Sequence, residues 1–425
     1  MTHSIDPLTV GYDWEMAVLR RTGENVAEED VAWLADELRR RLPWSQTGTD
    51  LELIESRIGA LKSFGDLLDR SERFEGELRR VLKKKEWVLL RAGARPFERE
   101  PVGAHIHVGT IRDWTAAIRI QNAMARYVPP LAALMANSPI YRRRTGEYKS
   151  YRVASYAEWC SRPQAIVDPS FSQPDWGGDV CTKLAIGSTV ELRVGDGVSS
   201  TRLMCEVVAL VAGLMCHVAE HELDAPLSED DYDTVMVNRW RAAKHGLQAI
   251  LTWGGREVPV QTVLTSMVDL AEDGMKLLGA SRGDLRIVRT MIRKRQTQAD
   301  FQLAVFAKER GDAHRMTRTM ANIQRDRSAF EKYLRRAPTL DVVKPDDYGA
   351  CLLSAVEVET PYPLILRSSP LSPAALDAIL DRFVEDGRLL ATRSNLGVRL
   401  YTRAELGGAG GGAGGHGRAP GGGVG

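Results

Sequence analysis

Three short segments of this chain set ionisable side chains two residues apart between apolar neighbours: residues 11–15 (GYDWE), 104–109 (AHIHVG) and 188–194 (STVELRV). Side chains alternate across a strand. Asp13 and Glu15, His105 and His107, and Glu191 and Arg193 therefore each share one strand face, with apolar residues turned the other way. Each pair also has a plain structural reading. Asp13 and Glu15 fit either the solvated face of an edge strand or two carboxylates made tolerable by a shared divalent cation. His105 and His107 fit either a surface pair or two imidazoles that touch a metal or a phosphate. Glu191 and Arg193 fit either a cross-strand surface pair or an acid for a metal beside a guanidinium for phosphate or carboxylate. Three such strands are more informative jointly than singly, because their polar faces can converge on one site. Oxygen ligands, histidine and arginine together are what a nucleotide with Mg²⁺ requires. The chain has no Walker A sequence, no kinase Gly-rich loop and no GxGxxG after a strand, so an ATP site here is of another kind.

The remainder reads as helices around those strands. Residues 28–42 space Val31, Leu34, Leu38 and Leu42 as one helical stripe, with acids early and arginines late. Residues 49–74 carry a helical period mixed with charge, which 74–85 continue before an apolar strand, WVLLRAGA. Residues 114–135 are helical, 137–152 form a polar, Arg-rich connection and 163–179 a long loop. From 230 to 334 the pattern is mostly helical, broken by TWGGREVPV. The longest apolar run, 207–219, falls short of the roughly 20 residues of a membrane span and reads as a buried helix. Strands separated by helices, followed by a helical half, indicate an α+β class. The net charge is +1 from 57 basic and 56 acidic residues, so no global field draws the chain to nucleic acid or an anionic membrane. Five cysteines without a CxxC pair fit a reducing compartment, and the N-terminus lacks the basic and apolar regions of a signal peptide; a cytoplasmic location is expected.

Several of these residues belong to an ordered set of motifs. Gly11, Asp13 and Glu15 resemble a G-x-E-x-E strand, and His105, His107, Val108 and Gly109 match H-x-H-V-G. Asn137, Ser138 and Pro139, then Thr145 and Gly146, then Ser150, Tyr151 and Arg152 match N-S-P, T-G and S-Y-R. Thr189, Val190, Glu191 and Arg193 match T-V-E-x-R; residues 238–242 read N-R-W-R-A; and residues 299–302 look like a worn G-T-G-A-x-x-Q. In this order, over roughly residues 11–312, the chain resembles the bacterial carboxylate–amine ligases of the glutamate–cysteine ligase type 2 family. The resemblance implies a glutamine-synthetase-like fold, a curved antiparallel sheet with helices packed outside. It implies ATP with Mg²⁺ or Mn²⁺, and activation of a glutamate-like carboxylate as an acyl phosphate that an amine then attacks.

Carried over residue by residue, the resemblance gives Asp13, Glu15, His107 and Glu191 as metal ligands and Arg152 and Arg193 as the catalytic pair on the phosphates. It gives Lys149, Ser150, Asn238 and Arg241 as nucleotide- or substrate-binding residues, with a solvated side chain as the other reading for Lys149 and bracing for the last two. The chain also departs from the family pattern. Gly59 stands where E-L-x-E-S-Q-x-E ends in a metal-binding glutamate, Asp13 replaces a glutamate, Arg95 a histidine and Cys181 an arginine. These changes support a second reading, a non-catalytic relative that binds nucleotide or amino acid as a sensor or scaffold.

The ligase-like domain is expected over residues 1–345. A winged-helix-like appendage is expected over 346–405, where Leu376, Ile379, Leu380 and Phe383 form an apolar stripe and Gly387 fits a helix stop. Its helix is acidic, which favours a peptide or carrier-protein partner over DNA, and the plain reading beside both is a module that only packs on the ligase body. Residues 406–425 are expected to be disordered, since the last nineteen residues hold twelve of the 38 glycines.

Overall fold

The computed structural model of the chain describes residues 5–404 except 6, 96–100, 112, 142–143, 156–177, 184–187, 224–226, 346, 357–359, 370, 372 and 396. The Gly-rich tail and all but the end of the expected 163–179 loop lie outside the described residues. The chain divides into two compact units, residues 1–345 and 346–425.

In the first unit, β1 (Thr9–Arg20) is an interior strand of a seven-stranded antiparallel sheet. Along one edge it pairs with β3 (Leu53–Arg57), itself hairpinned to β2 (Gly48–Asp50). Along the other edge its second half pairs with β4 (Trp87–Leu90) and its first half with β5 (Gly103–Gly109). A separate short hairpin, β6 (Ile140–Tyr141) and β7 (Arg144–Thr145), follows. The sheet ends in β8 (Val180–Lys183), which pairs with β9 (Thr189–Asp196), and β9 lies beside β5. With β1 inside the sheet, the edge-strand reading of Asp13 and Glu15 is corrected.

Helices α1 (Glu28–Arg41), α2 (Phe64–Lys85), α3 (Trp114–Met124), α4 (Val128–Met135) and α5 (Tyr151–Ser155) alternate with these strands. After them come α6 (Thr201–His221), α7 (Glu229–His245), a hairpin of β10 (Ile250–Trp253) and β11 (Arg256–Pro259), and α8 (Val260–Leu270), α9 (Glu272–Leu277), α10 (Arg286–Lys294), α11 (Gln298–Lys308), α12 (Ala313–Ile323) and α13 (Ala329–Arg336).

Alternation explains the two-faced sheet. Val10, Tyr12, Trp14, Met16 and Val18 are all buried on one side of β1, where α6 packs across β1 and β5 and α2 packs on α6. Each such side chain contributes about 1.5–3 kcal/mol by leaving water. The Tyr12 hydroxyl donates to Ser71 Oγ on α2 at 3.0 Å, so the buried phenol keeps a partner. α6 starts at Ser200, whose side chain accepts from the Leu203 N–H. It is long and apolar enough to cross a membrane, yet 89% of its apolar window is buried within the protein.

One stretch differs from the sequence expectation. Residues 48–57 form the β2–β3 hairpin rather than the start of a helix, and α2 begins only at Phe64. The hairpin turns through Leu51, held at φ 51°, and charges on both strands imitate a helical period.

The second unit contains α14 (Tyr348–Ala355), β12 (Thr360–Pro361), α15 (Tyr362–Ser368), α16 (Pro373–Glu385), β13 (Leu389–Arg393) and β14 (Arg399–Arg403). Its three-stranded sheet runs β12-β14-β13, and Leu376, Leu380 and Phe383 of α16 are buried.

Candidate active site on the polar face of the sheet

The face of the sheet opposite the β1 core residues gathers ionisable groups from five strands. Register sets Glu15 directly across from Glu55, Asp13 across from both Arg57 and His105, and His107 across from Glu191. One ligand atom each from Glu15, Glu55 and His105 lies within 4.8 Å of the others, and the two carboxylates are buried. Two carboxylate oxygens and an imidazole nitrogen are a donor set for a divalent cation. Glu15 Oε2 also accepts the Gly103 N–H at 2.6 Å. A β-carbon at Gly103 would lie 2.8 Å from Arg152 Nη2 and 2.9 Å from His105 Nε2, so glycine is what lets these three groups meet.

Burial governs the charge states here. It pushes the Glu15 carboxyl up to about 7, against the Gly103 N–H and Arg152, which favour the anion. Glu55 is raised by burial and by Asp13, against the pull of Arg57. His105 is held well below its ordinary value by burial, then by Arg193 and Arg152, leaving a neutral ring with a lone pair to offer. Burial opposes charge on His107 as well, but its bond to Asp13 and the charge of Glu191 outweigh it and raise this imidazole.

The Glu15 shift predicts a pH dependence. A carboxyl raised by folding contributes stability that is complete below its unfolded value near 4.5 and is lost as pH rises through about 7. Relative to Glu15→Gln, the metal-free wild type should therefore lose on the order of 3 kcal/mol between pH 4.5 and 7.5. Parallel urea melts of the two proteins across that range measure it; a constant difference between them would contradict the shift.

A second group surrounds Glu191. His105 Nδ1 lies 3.4 Å and His107 Nε2 3.7 Å from Glu191 Oε1, and His107 Nε2 lies 3.3 Å from Asp13 Oδ2. Lys183 Nζ and Arg193 Nε approach Glu191 to 3.7 and 3.9 Å, and the Cys181 thiol donates to Glu191 Oε2 at 3.1 Å. On the β3 side, the Arg57 guanidinium bonds to Glu55 and stands 3.9 Å from Asp13 Oδ2.

Arg152 enters from α5. Its Nη2 donates to the Arg193 carbonyl at 3.0 Å and its side chain is buried. A network absent from the sequence reading holds it there. Buried Asp196 accepts from the Ser138 hydroxyl (2.8 Å), the Ser150 hydroxyl (3.0 Å) and the Asn137 N–H (2.6 Å). Ser138 Oγ in turn accepts the Arg152 N–H, and Ser150 Oγ the Val153 N–H, each at 3.1 Å. Gln302 closes the network by donating to the Asn137 carbonyl at 2.6 Å.

Thus Asp13, Glu15, His107, Glu191, Arg152 and Arg193 come together, joined by Glu55, His105, Arg57 and Lys183. The other sequence candidates are engaged elsewhere. Lys149 Nζ lies 2.7 Å from Asp300 Oδ1 and 2.6 Å from Gln248 Oε1, while Ser150 serves Asp196. Asn238 exchanges two 2.8 Å bonds with the Thr252 backbone, and Arg241 donates to Thr252 Oγ1 at 3.3 Å. Gly59 lies on the stretch that follows β3, beside Gly11, and Arg95 pairs with Glu52 at 2.8 Å.

The family model of glutamate–cysteine ligase family 2 matches residues 98–176 and 182–319. A Streptomyces coelicolor protein named "Putative glutamate–cysteine ligase 2" is 27% identical over 236 residues, covering 50% of this chain and 63% of its own length. A Rubrobacter xylanophilus protein of the same designation, numbered 2-3, is 27% identical over 359 residues, 71% of this chain and 93% of its own. Among solved structures, a bifunctional glutathione synthetase from Pasteurella multocida superposes with a TM-score of 0.51 at 12% identity, over 93% of this chain and 59% of that one, which is a likeness of fold. The seven-stranded antiparallel sheet with helices packed on it is the part of the fold that this likeness supports. Its polar face carries the T-V-E-x-R and H-x-H-V-G residues inside the matched range, and the chain belongs to glutamate–cysteine ligase family 2.

Proposed function

We propose that this chain is an ATP-dependent ligase that joins the carboxylate of a glutamate-like amino acid to an amine through an acyl phosphate. The observation that carries the reading is the meeting of Glu15, Glu55 and His105 with the guanidinium groups of Arg152 and Arg193 on one face. The donor set fits Mg²⁺ or Mn²⁺, with Glu15, Glu55 and His105 as the residues that would hold the ion and Asp13, His107 and Glu191 as a flanking group. Such an ion, when bound, supplies charge neutralisation at the phosphate oxygens.

The protein's own part is positioning and electrostatics, which dominate phosphoryl transfer. Arg152 and Arg193 offer donors where charge builds on the transferring phosphoryl group, and Arg152 is fixed through Ser138, Ser150 and Asp196. Lys183 and His107 limit repulsion between Glu191 and an incoming phosphate. Lys149, Asn238 and Arg241 have partners within the chain and are proposed to brace the site's surroundings. The second unit is proposed as a winged-helix-like module whose outer strand β13, exposed at four of five positions, receives a peptide or carrier-borne acceptor.

The sensor reading rests on Gly59, Cys181 and Asp13; against it, Glu55, the fourth residue of the E-L-x-E-S-Q-x-E segment, keeps a carboxylate opposite Glu15. Gly59 sits at φ 75°, where a side chain is strained. Gly59→Glu should therefore bring no gain in turnover and a loss of about 1 kcal/mol in stability, read by ADP release and a urea melt. Wild-type protein with ATP, Mg²⁺ and a panel of amino acids and amines should yield ADP and an amide in equal amounts. Nucleotide binding without either product for any pairing would return the sensor reading.

A further inference from the structure

Away from the ionisable face, α8, α10 and the turn before α10 enclose a cavity of about 590 Å³ lined chiefly by Gln261, Thr265, Arg282, Arg286, Arg289 and Arg293. Its charge is one-sided. The acid in its lining, Asp269, is taken by Arg282 at 2.7 Å, and Glu272 pairs with the same guanidinium. Arg286, Arg289 and Arg293 are exposed, and among the described residues none of the three has an ion-pair partner. Arg289 makes one long bond, 3.4 Å, to the Arg282 carbonyl. Three uncompensated guanidinium groups in one concavity are a strong local departure in a chain whose net charge is +1.

The three arginines stand at positions i, i+3 and i+7 of one helix, so their bases span about 10 Å along it. Opposite them, α8 presents Gln261 and the Thr265 hydroxyl. The support under them is built. The Ile287 and Val288 N–H groups at the start of α10 donate to buried Glu206 of α6 at 2.8 and 3.0 Å. At its end, Lys294 donates to the Leu334 and Ala337 carbonyls at 2.7 and 2.6 Å, and Arg295 reaches Gln261 Oε1 at 2.5 Å. A helix fastened at both ends holds its outward row in place before a ligand arrives, which lowers the ordering cost of binding.

We propose that this cavity binds a small polyanion, a molecule carrying two or more linked phosphate or carboxylate groups. Arginine forks match both oxyanions, the volume lies in the range of small-ligand pockets, and concavity between two helices favours a compact ligand over an extended polymer. The site shares no residue with the ligase face and stands whether or not the proposed ligase chemistry holds.

The test is calorimetric titration of the full chain with tripolyphosphate and, separately, citrate, in low salt and without divalent metal. It is repeated on Arg286→Gln/Arg289→Gln/Arg293→Gln. Wild type should bind one of the two saturably, with affinity falling as salt rises, and the triple variant should bind it at least about thirtyfold more weakly with unchanged Mn²⁺ binding. The tighter of the two anions tells phosphate from carboxylate preference. If the triple variant misfolds, Arg289→Glu alone should weaken binding about tenfold. Equal binding by wild type and variant would place the anion on the ligase face and overturn the proposal. So would absence of saturation, or preference for a 20-base-pair DNA duplex over both small anions.

Discussion

Glu15→Gln should form no detectable amide and bind Mn²⁺ at least about a hundredfold more weakly, while its metal-free form at pH 8 is as stable as wild type or more so. The opposite signs follow from one fact. Glu15 and Glu55 are buried opposite each other, and without a cation the protein bears the desolvation of the first and the repulsion between them, which is why Glu15 is pushed up to about 7. A neutral amide removes that penalty and can still accept the Gly103 N–H that Glu15 Oε2 now takes. It also removes the charge that would draw a divalent cation to Glu55 and His105, and the loss of several kcal/mol of charge stabilisation accounts for about a thousandfold or more in turnover. Thermal melts with and without Mn²⁺ separate the effects. A variant that melts lower than wild type without metal, yet keeps the Mn²⁺-induced rise, would show Glu15 to be structural.

Asp179→Ala should destabilise the first unit by about 3–5 kcal/mol, the largest stability effect expected of any single truncation at the site. Asp179 and Arg239 form a two-pronged pair, Nε to Oδ2 at 2.6 Å and Nη2 to Oδ1 at 3.0 Å, with side chains 3% and 4% exposed. Arg239 also donates to the Val153 carbonyl at 2.7 Å, and the Asp179 carbonyl accepts the Arg193 N–H at 2.7 Å. Removing the carboxylate leaves a buried guanidinium with part of its bonding lost, on the support shared by Arg152 and Arg193. Turnover should fall with stability. Asp179→Leu/Arg239→Met should recover most of the stability and little of the activity, because packing replaces the charges but not the Arg239 bond to the Val153 carbonyl that places α5. Urea unfolding of the wild type and the two variants decides it; a loss under 1 kcal/mol in Asp179→Ala would show the pair to be dispensable.

The strand faces were legible because they rest on period two alone. Asp13, Glu15, His105, His107, Glu191 and Arg193 needed only alternation and apolar flanks to be set beside one another. Partners chosen by register were not legible. Glu55 is opposite Glu15 only because residues 48–57 turn at Leu51 into a hairpin, and the charges on β2 and β3 imitate a helical period closely enough to hide it. The S-Y-R and N-S-P motifs pointed to Arg152 without revealing Asp196, since one carboxylate gathering Asn137, Ser138 and Ser150 is a three-dimensional fact. Between the two imidazoles, sequence had no basis for choosing His105 as the neutral one, because its neighbours Arg152 and Arg193 arrive from separate elements. Lys149 looked available for phosphate for the same reason: its partner Asp300 lies far along the chain.

The central claim is that this face activates a carboxylate by phosphorylation, and transfer of oxygen tests it most directly. Glutamate labelled with ¹⁸O in its side-chain carboxylate, given with ATP, Mg²⁺ and the amine that yields product, should release phosphate carrying one ¹⁸O for each ADP formed, and Glu15→Gln should release none. Unlabelled phosphate formed alongside amide, or AMP and pyrophosphate in place of ADP and phosphate, would contradict the account.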